Sequence, residues 1–162
     1  MRHGPAEDWS ASGRDAERAL TPSGRDRVRD VAVALVANGE RPSRLLSSPL
    51  LRARQTADIV AEVSSQGGTL EISGHLAPGG RLLDLVTSVL REGPEHGSAT
   101  LFTGHEPDLS RLVARLVGRT PPQGIQKAMV VSVDLLLEQG GPNYIPSLRF
   151  VLEPETLTWQ RG

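Results

Sequence analysis

Short apolar runs alternate with amphipathic stretches along this chain, and that alternation restricts its fold more than any other feature. Arg44-Leu45-Leu46-Ser47, residues 69–72 and residues 99–103 read as strands. The last is richest in β-branched and apolar side chains. Helix patterns lie between them. Thr21-Pro22 predicts an N-cap followed by a proline in the first turn. Val28, Val31, Ala32 and Leu35 then recur at helical spacing, and Asn38-Gly39 marks the stop. Ser48-Pro49 repeats the cap-then-proline signal and opens a helix running to about Val63. Residues 81–91, ended by Gly93-Pro94, and the stripe Leu109, Leu112, Val113, Leu116, Val117 give two more helices. Residues 129–137 alternate near period two, Gly140-Gly141-Pro142-Asn143 turns, and residues 148–152 return as the second arm of a hairpin. Residues 4–20, 76–80 and 120–124 read as loops, and residues 153–162 as a tail. The expected fold is α/β: a three-layer α/β/α sandwich with a mostly parallel mixed sheet, built as one domain over residues 1–162.

Composition narrows the functional classes. A chain of 162 residues can bury about two-thirds of its unfolded surface without a metal or disulfide staple. With no cysteine, a disulfide framework, a thiolate metal site and a cysteine nucleophile are all excluded. Eighteen basic residues against nineteen acidic leave a net charge of -1, which predicts no nucleic-acid partner. No apolar run approaches the about 18 residues of a membrane span, so no membrane association is expected, and the chain reads as cytoplasmic and monomeric.

Three short segments carry chemistry. Arg2-His3-Gly4 combines a planar fork of donors suited to phosphate, an imidazole able to attack phosphorus, and a residue that lets backbone approach an anion. Arg52 falls in the first turn of a helix that follows a strand, and His105 in the turn after another strand. In a layered α/β fold, ligands bind beyond the carboxyl ends of the strands, so these turns can converge on one crevice. Two arginines, two histidines and a helix N-terminus there would form a cationic pocket for a phosphoryl group.

The segments Arg2-His3-Gly4, Leu20-Thr21-Pro22-Ser23-Gly24, the run from Ser47 to Ala57 and Thr103-Gly104-His105-Glu106-Pro107 stand in order over residues 2–107. In these the chain resembles the histidine phosphatase superfamily, with its phosphoglycerate-mutase-like fold, and within it the SixA-type phosphohistidine phosphatases. The resemblance implies a phosphatase that forms a phosphohistidine on His3. Arg2, Arg52 and His105 would complete the catalytic set, and Arg2, Gly4, Arg52 and His105 would bind substrate. No cofactor and no metal is expected. The implied substrate is phosphohistidine on a signalling protein. The alternatives are a small phosphomonoester, or a binding module without turnover.

Two departures from the family pattern stand out. Where many members carry a Glu or Asp to protonate the leaving group, this chain reads Ser73-Gly74-His75-Leu76-Ala77-Pro78. His75 and Glu106 are therefore candidate acids, with Glu7 and Asp8 behind them, although His75 reads more readily as a structural residue. The family also places an apolar strand before the Arg-His-Gly turn. Here only Met1 precedes Arg2, so the first sheet strand is expected to be missing and the native protein to begin upstream. Trp9 and Trp159 read as packing or rim residues. The Arg14, Arg18, Arg25, Arg27, Arg29 cluster reads as a solvated face, or as a docking patch for an acidic protein.

Overall fold

The computed structural model describes residues 1–64, 70–92, 99–137 and 144–162. The signals at Thr69, at Gly93-Pro94 and at residues 140–143 lie outside them. Helix α1 (Pro22–Ala37) starts as its sequence dictates: the Thr21 side chain accepts from the Gly24 N–H at 2.9 Å, and Pro22 occupies the first turn. It ends at Asn38, with Gly39 beyond it in the left-handed region at φ +79°. Strand β1 (Arg44–Ser47), helix α2 (Leu51–Ser64), strand β2 (Leu70–Ile72), helix α3 (Leu82–Glu92), strand β3 (Thr100–Thr103) and helix α4 (Asp108–Val117) follow in alternation. The chain closes with β4 (Val130–Leu137), β5 (Tyr144–Leu152) and β6 (Trp159–Arg161).

Strands β2, β1 and β3 pair in parallel, in that order, whereas β4, β5 and β6 form an antiparallel ladder. Residues 1–3 join the two halves. On one side Met1 N donates to Phe102 O (2.9 Å) and His3 N to Gly104 O (3.1 Å). On the other, Arg2 N donates to Met129 O (3.2 Å) and Ala128 N to His3 O (3.1 Å). Residues 1–3 are thus a rung of the mixed sheet, hydrogen-bonded on both sides.

Strand alternation sorts the core into two layers. Leu45, Leu101, Val130, Phe150 and Leu152 face Val28, Val31 and Leu35 of α1 and Ile59 and Val60 of α2. Their neighbours Leu46, Met129 and Val151 face the other way, onto Leu82 of α3 and Leu109 and Val113 of α4. Helices therefore cover both faces, as a sandwich requires.

Three expectations are corrected. Residues 153–162 are not a tail: β6 pairs with β5, and Trp159 packs on Phe150 with ring centroids 4.7 Å apart. Three residues are too few to show a period, so pairing decided this strand. Residues 4–20 contain a 3₁₀ turn, Asp15–Glu17, and an antiparallel bridge between Ala6 and Leu20. β5 begins at Tyr144 rather than Leu148, because cross-strand pairing with β4 carries it through Pro146.

Candidate active site

The ends of the rung at residues 1–3, of β1 and of β3 meet at one edge of the sheet. There a cavity of about 230 Å³ is lined by Arg2, His3, Arg18, Arg52, Pro78, His105, Glu106 and Lys127. The predicted set Arg2, His3, Arg52 and His105 is thus brought together. The His3 and His105 rings are 5.1 Å apart between centroids.

Each side chain is fixed by local bonds. His3 Nδ1 lies 2.7 Å from the Gly4 carbonyl. A carbonyl can only accept, so Nδ1 carries the hydrogen and Nε2 keeps a free lone pair. Gly4 is needed where it stands: a Cβ there would lie 2.5 Å from Val28 Cγ2. The Gly4 N–H donates to Thr56 Oγ1 (3.0 Å), whose hydroxyl donates to Arg52 O (2.7 Å). The first turn and the start of α2 are thereby linked. Gly4 contributes through this backbone placement and is not among the cavity-lining residues.

His105 Nε2 lies 2.8 Å from Ser48 Oγ. That oxygen also accepts from Leu50 N at 3.3 Å, and the contact between Ser48 Oγ and Nε2 holds the imidazole ring in place. Nδ1 is buried with no partner among the described residues. Ser48 reads in the sequence as the cap of α2. The helix begins instead at Leu51, and the hydroxyl serves His105. Arg2 Nη1 donates to Ile125 O (3.0 Å), while its Nε has no partner among the described residues. Arg52 donates from Nη1 to Asp15 O (2.8 Å) and from Nη2 to Asp15 Oδ2 (3.0 Å).

Burial dominates the electrostatics. It pushes His3 down from 6.5 to about 3, assisted by His105, Arg52 and Arg2 and opposed by the bond to Gly4. It also lowers His105 to about 4, with Arg52 contributing. Arg2 is lowered by burial and partly restored by Glu106. Both imidazoles are neutral at pH 7, so His3 Nε2 is an unprotonated nucleophile-type nitrogen beside three arginines and a lysine.

Other expectations move. His75 is exposed and does not line the cavity, because the short 3₁₀ turn Gly74–Leu76 buries Leu76 and turns the imidazole outward. Glu106 does line it, half-buried, with Oε1 unpartnered among the described residues. Glu7 and Asp8 are exposed and absent from the lining. Arg18 leaves the solvated cluster: Nε donates to Glu7 O (2.6 Å) and Nη1 to Asp15 Oδ1 (2.8 Å), which turns it onto the cavity. Trp9 is 83% exposed and packs into no core. Sequence reasoning missed Ser48, Asp15 and Lys127. Ser48 alone had a signal, the polar residue directly after a buried strand. Among the described residues, no three His, Asp or Glu side chains converge as metal ligands would, and no helix is long and apolar enough to cross a membrane.

Comparison with known proteins agrees with this geometry. The model of the histidine phosphatase superfamily (branch 1) matches residues 1–76. The phosphohistidine phosphatase SixA of Escherichia coli K12 is 36% identical over 137 residues, covering 83% of each chain. A solved structure of the protein histidine phosphatase SixA complexed with tungstate superposes with a TM-score of 0.80 at 31% identity, covering 98% of this chain and 97% of that one. A mycobacterial glucosyl-3-phosphoglycerate phosphatase shares the fold, at 20% identity and TM-score 0.66 over 91% of this chain and 93% of its own.

Proposed function

Since this chain belongs to the histidine phosphatase superfamily, in its SixA branch, and is a phosphatase, we propose that it hydrolyses phosphohistidine on a signalling protein, without a metal, through a phosphohistidine intermediate on His3. The observation that carries this reading is the bond from His3 Nδ1 to the Gly4 carbonyl, which leaves Nε2 unprotonated beside the cationic cavity. In the first step His3 Nε2 attacks phosphorus, the bond to the substrate imidazole breaks, and its electron pair stays on the departing nitrogen. An imidazole protonated on its other nitrogen leaves neutral and needs little help from an acid. In the second step water attacks phosphorus and the pair of the P–N bond returns to His3 Nε2. We assign the phosphoryl oxygens to Arg2, Arg52 and His105, whose donors would meet charge developing in the transition state. Glu106, the carboxylate lining the cavity, is assigned the water's proton.

Glu106 also favours a second reading, a small phosphomonoester substrate, whose alkoxide leaving group requires an acid. The deciding assay measures turnover of a phosphohistidine-bearing protein and of an alkyl phosphate in EDTA, by the wild type, His3→Ala and Glu106→Gln. The proposal expects turnover of the protein substrate in EDTA, its loss in His3→Ala, and in Glu106→Gln a slowed hydrolysis of the phosphoenzyme with its formation spared. Retained activity in His3→Ala removes His3 as the nucleophile. A preference for the small ester, with formation of the phosphoenzyme itself dependent on Glu106, selects the second reading.

A further inference from the structure

We propose that Asp15 is a positioning residue, a clasp that holds Arg52 and Arg18 in place at the mouth of the cavity from outside the phosphate site. The inference rests on the assignment of Arg52 to the phosphoryl group. Arg52 is nearly enclosed, its side chain 7% exposed, yet both its terminal nitrogens point to one residue of a surface turn. The carbonyl and one carboxylate oxygen of Asp15 take those two N–H groups, and the second carboxylate oxygen takes Arg18 Nη1 at 2.8 Å. One carboxylate thus bridges two guanidinium groups that would otherwise repel each other. Its acidity follows: Arg18 first, then Arg52, hold the carboxyl below its ordinary range.

The same contacts could belong to a blocking residue that occupies the phosphate position. The cavity walls argue against this. Asp15 is absent from the residues lining the cavity of His3 and lines instead a neighbouring one with Asp8, Trp9, Ser10, Gly13 and Arg14, while Arg18 faces both. Asp15 therefore meets Arg52 from outside that cavity. A guanidinium carries five N–H groups, so three remain on Arg52 for a ligand. The clasp removes rotamer freedom from a long side chain before the anion arrives, and misplacing such a group by about 1 Å can cost on the order of a hundredfold in rate.

The test measures vanadate inhibition and aryl phosphate turnover for the wild type, Asp15→Ala, Asp15→Asn, Arg52→Lys and the double variant Asp15→Ala/Arg52→Lys, with melting temperatures alongside. The Arg52→Lys variant keeps the charge, but its single ammonium could not fill both Asp15 contacts. Asp15→Ala should weaken vanadate binding and lower kcat/KM about tenfold or more, with Asp15→Asn between it and wild type, since an amide oxygen still accepts from one arginine. In the Arg52→Lys background the Asp15→Ala effect should shrink to about twofold or less, because the two residues act as a unit. Vanadate affinity within about twofold of wild type in Asp15→Ala overturns the clasp, as does an equal factor in both backgrounds. If Arg52→Lys itself binds vanadate and turns over like wild type, the assignment of Arg52 fails instead. If Arg52→Lys is impaired while Asp15→Ala is not, the clasp alone fails.

Discussion

Lowering the pH from 7 to 5 should destabilise the folded chain, with two histidines contributing about two-thirds of the loss and the buried Met1 amine, lowered from 8.0 to about 5, most of the remainder. His3 and His105 are 7% and 4% exposed, and their folded-state values are held near about 3 and about 4 against an ordinary 6.5. Above pH 6.5 both residues are neutral folded or unfolded, and neither affects the balance. As the pH falls below 6.5 the unfolded chain takes up protons that the folded chain refuses, so stability falls. At pH 5 the unfolded value lies about 1.5 units above the ambient pH, which corresponds to about 2 kcal/mol for each histidine and about 4 kcal/mol at most for the pair. The loss attributable to His105 levels off below about pH 4, and that to His3 below about pH 3. Asp15, Glu62 and Glu71 have lowered carboxyl values, so their contributions are lost mainly nearer pH 4. Urea unfolding at pH 7, 6 and 5 measures the effect in the wild type, His3→Gln and His3→Gln/His105→Gln. The single variant should lose about a third of the decline and the double variant about two-thirds of it, the Met1 amine keeping the rest. A wild-type stability unchanged between pH 7 and 5, or an equal decline in the double variant, would refute the reasoning.

Two further substitutions probe the supports of the site. Ser48→Ala removes the hydroxyl that holds the His105 ring and should lower kcat/KM by about 10- to 100-fold with the fold intact, as steady-state kinetics would read; a change under twofold counts against this positioning role. Gly24→Ala would bring a Cβ to 2.0 Å from the Pro5 carbonyl oxygen, and thermal melting should show a loss of about 1–3 kcal/mol as α1 shifts from the turn carrying His3. An unchanged melting temperature there would mean that the contact between Pro5 and α1 yields at no cost.

The sequence by itself determined the alternation of elements, because the periods that form helices and strands are local properties of neighbouring residues. Thr21-Pro22 started α1, the stripe through Leu109 and Val113 placed α4, and the run from Arg44 to Ser47 placed β1. Arg2, His3, Arg52 and His105 were legible too, each lying at a strand end or in a helix's first turn. The tertiary structure alone decided what those residues touch. A Ser-Pro pair reads locally as a helix cap, but Ser48 spends its hydroxyl on His105, 57 positions away. Arg18 reads as one of five surface arginines, yet Asp15 and the Glu7 carbonyl turn it onto the cavity. His75 reads as a candidate acid, and one short turn exposes it. β6 shows no period at all and exists through its pairing with β5. Hydrogen bonds between residues far apart in the chain leave no pattern along it, so the partners that orient the chemistry emerge only when the layers are packed.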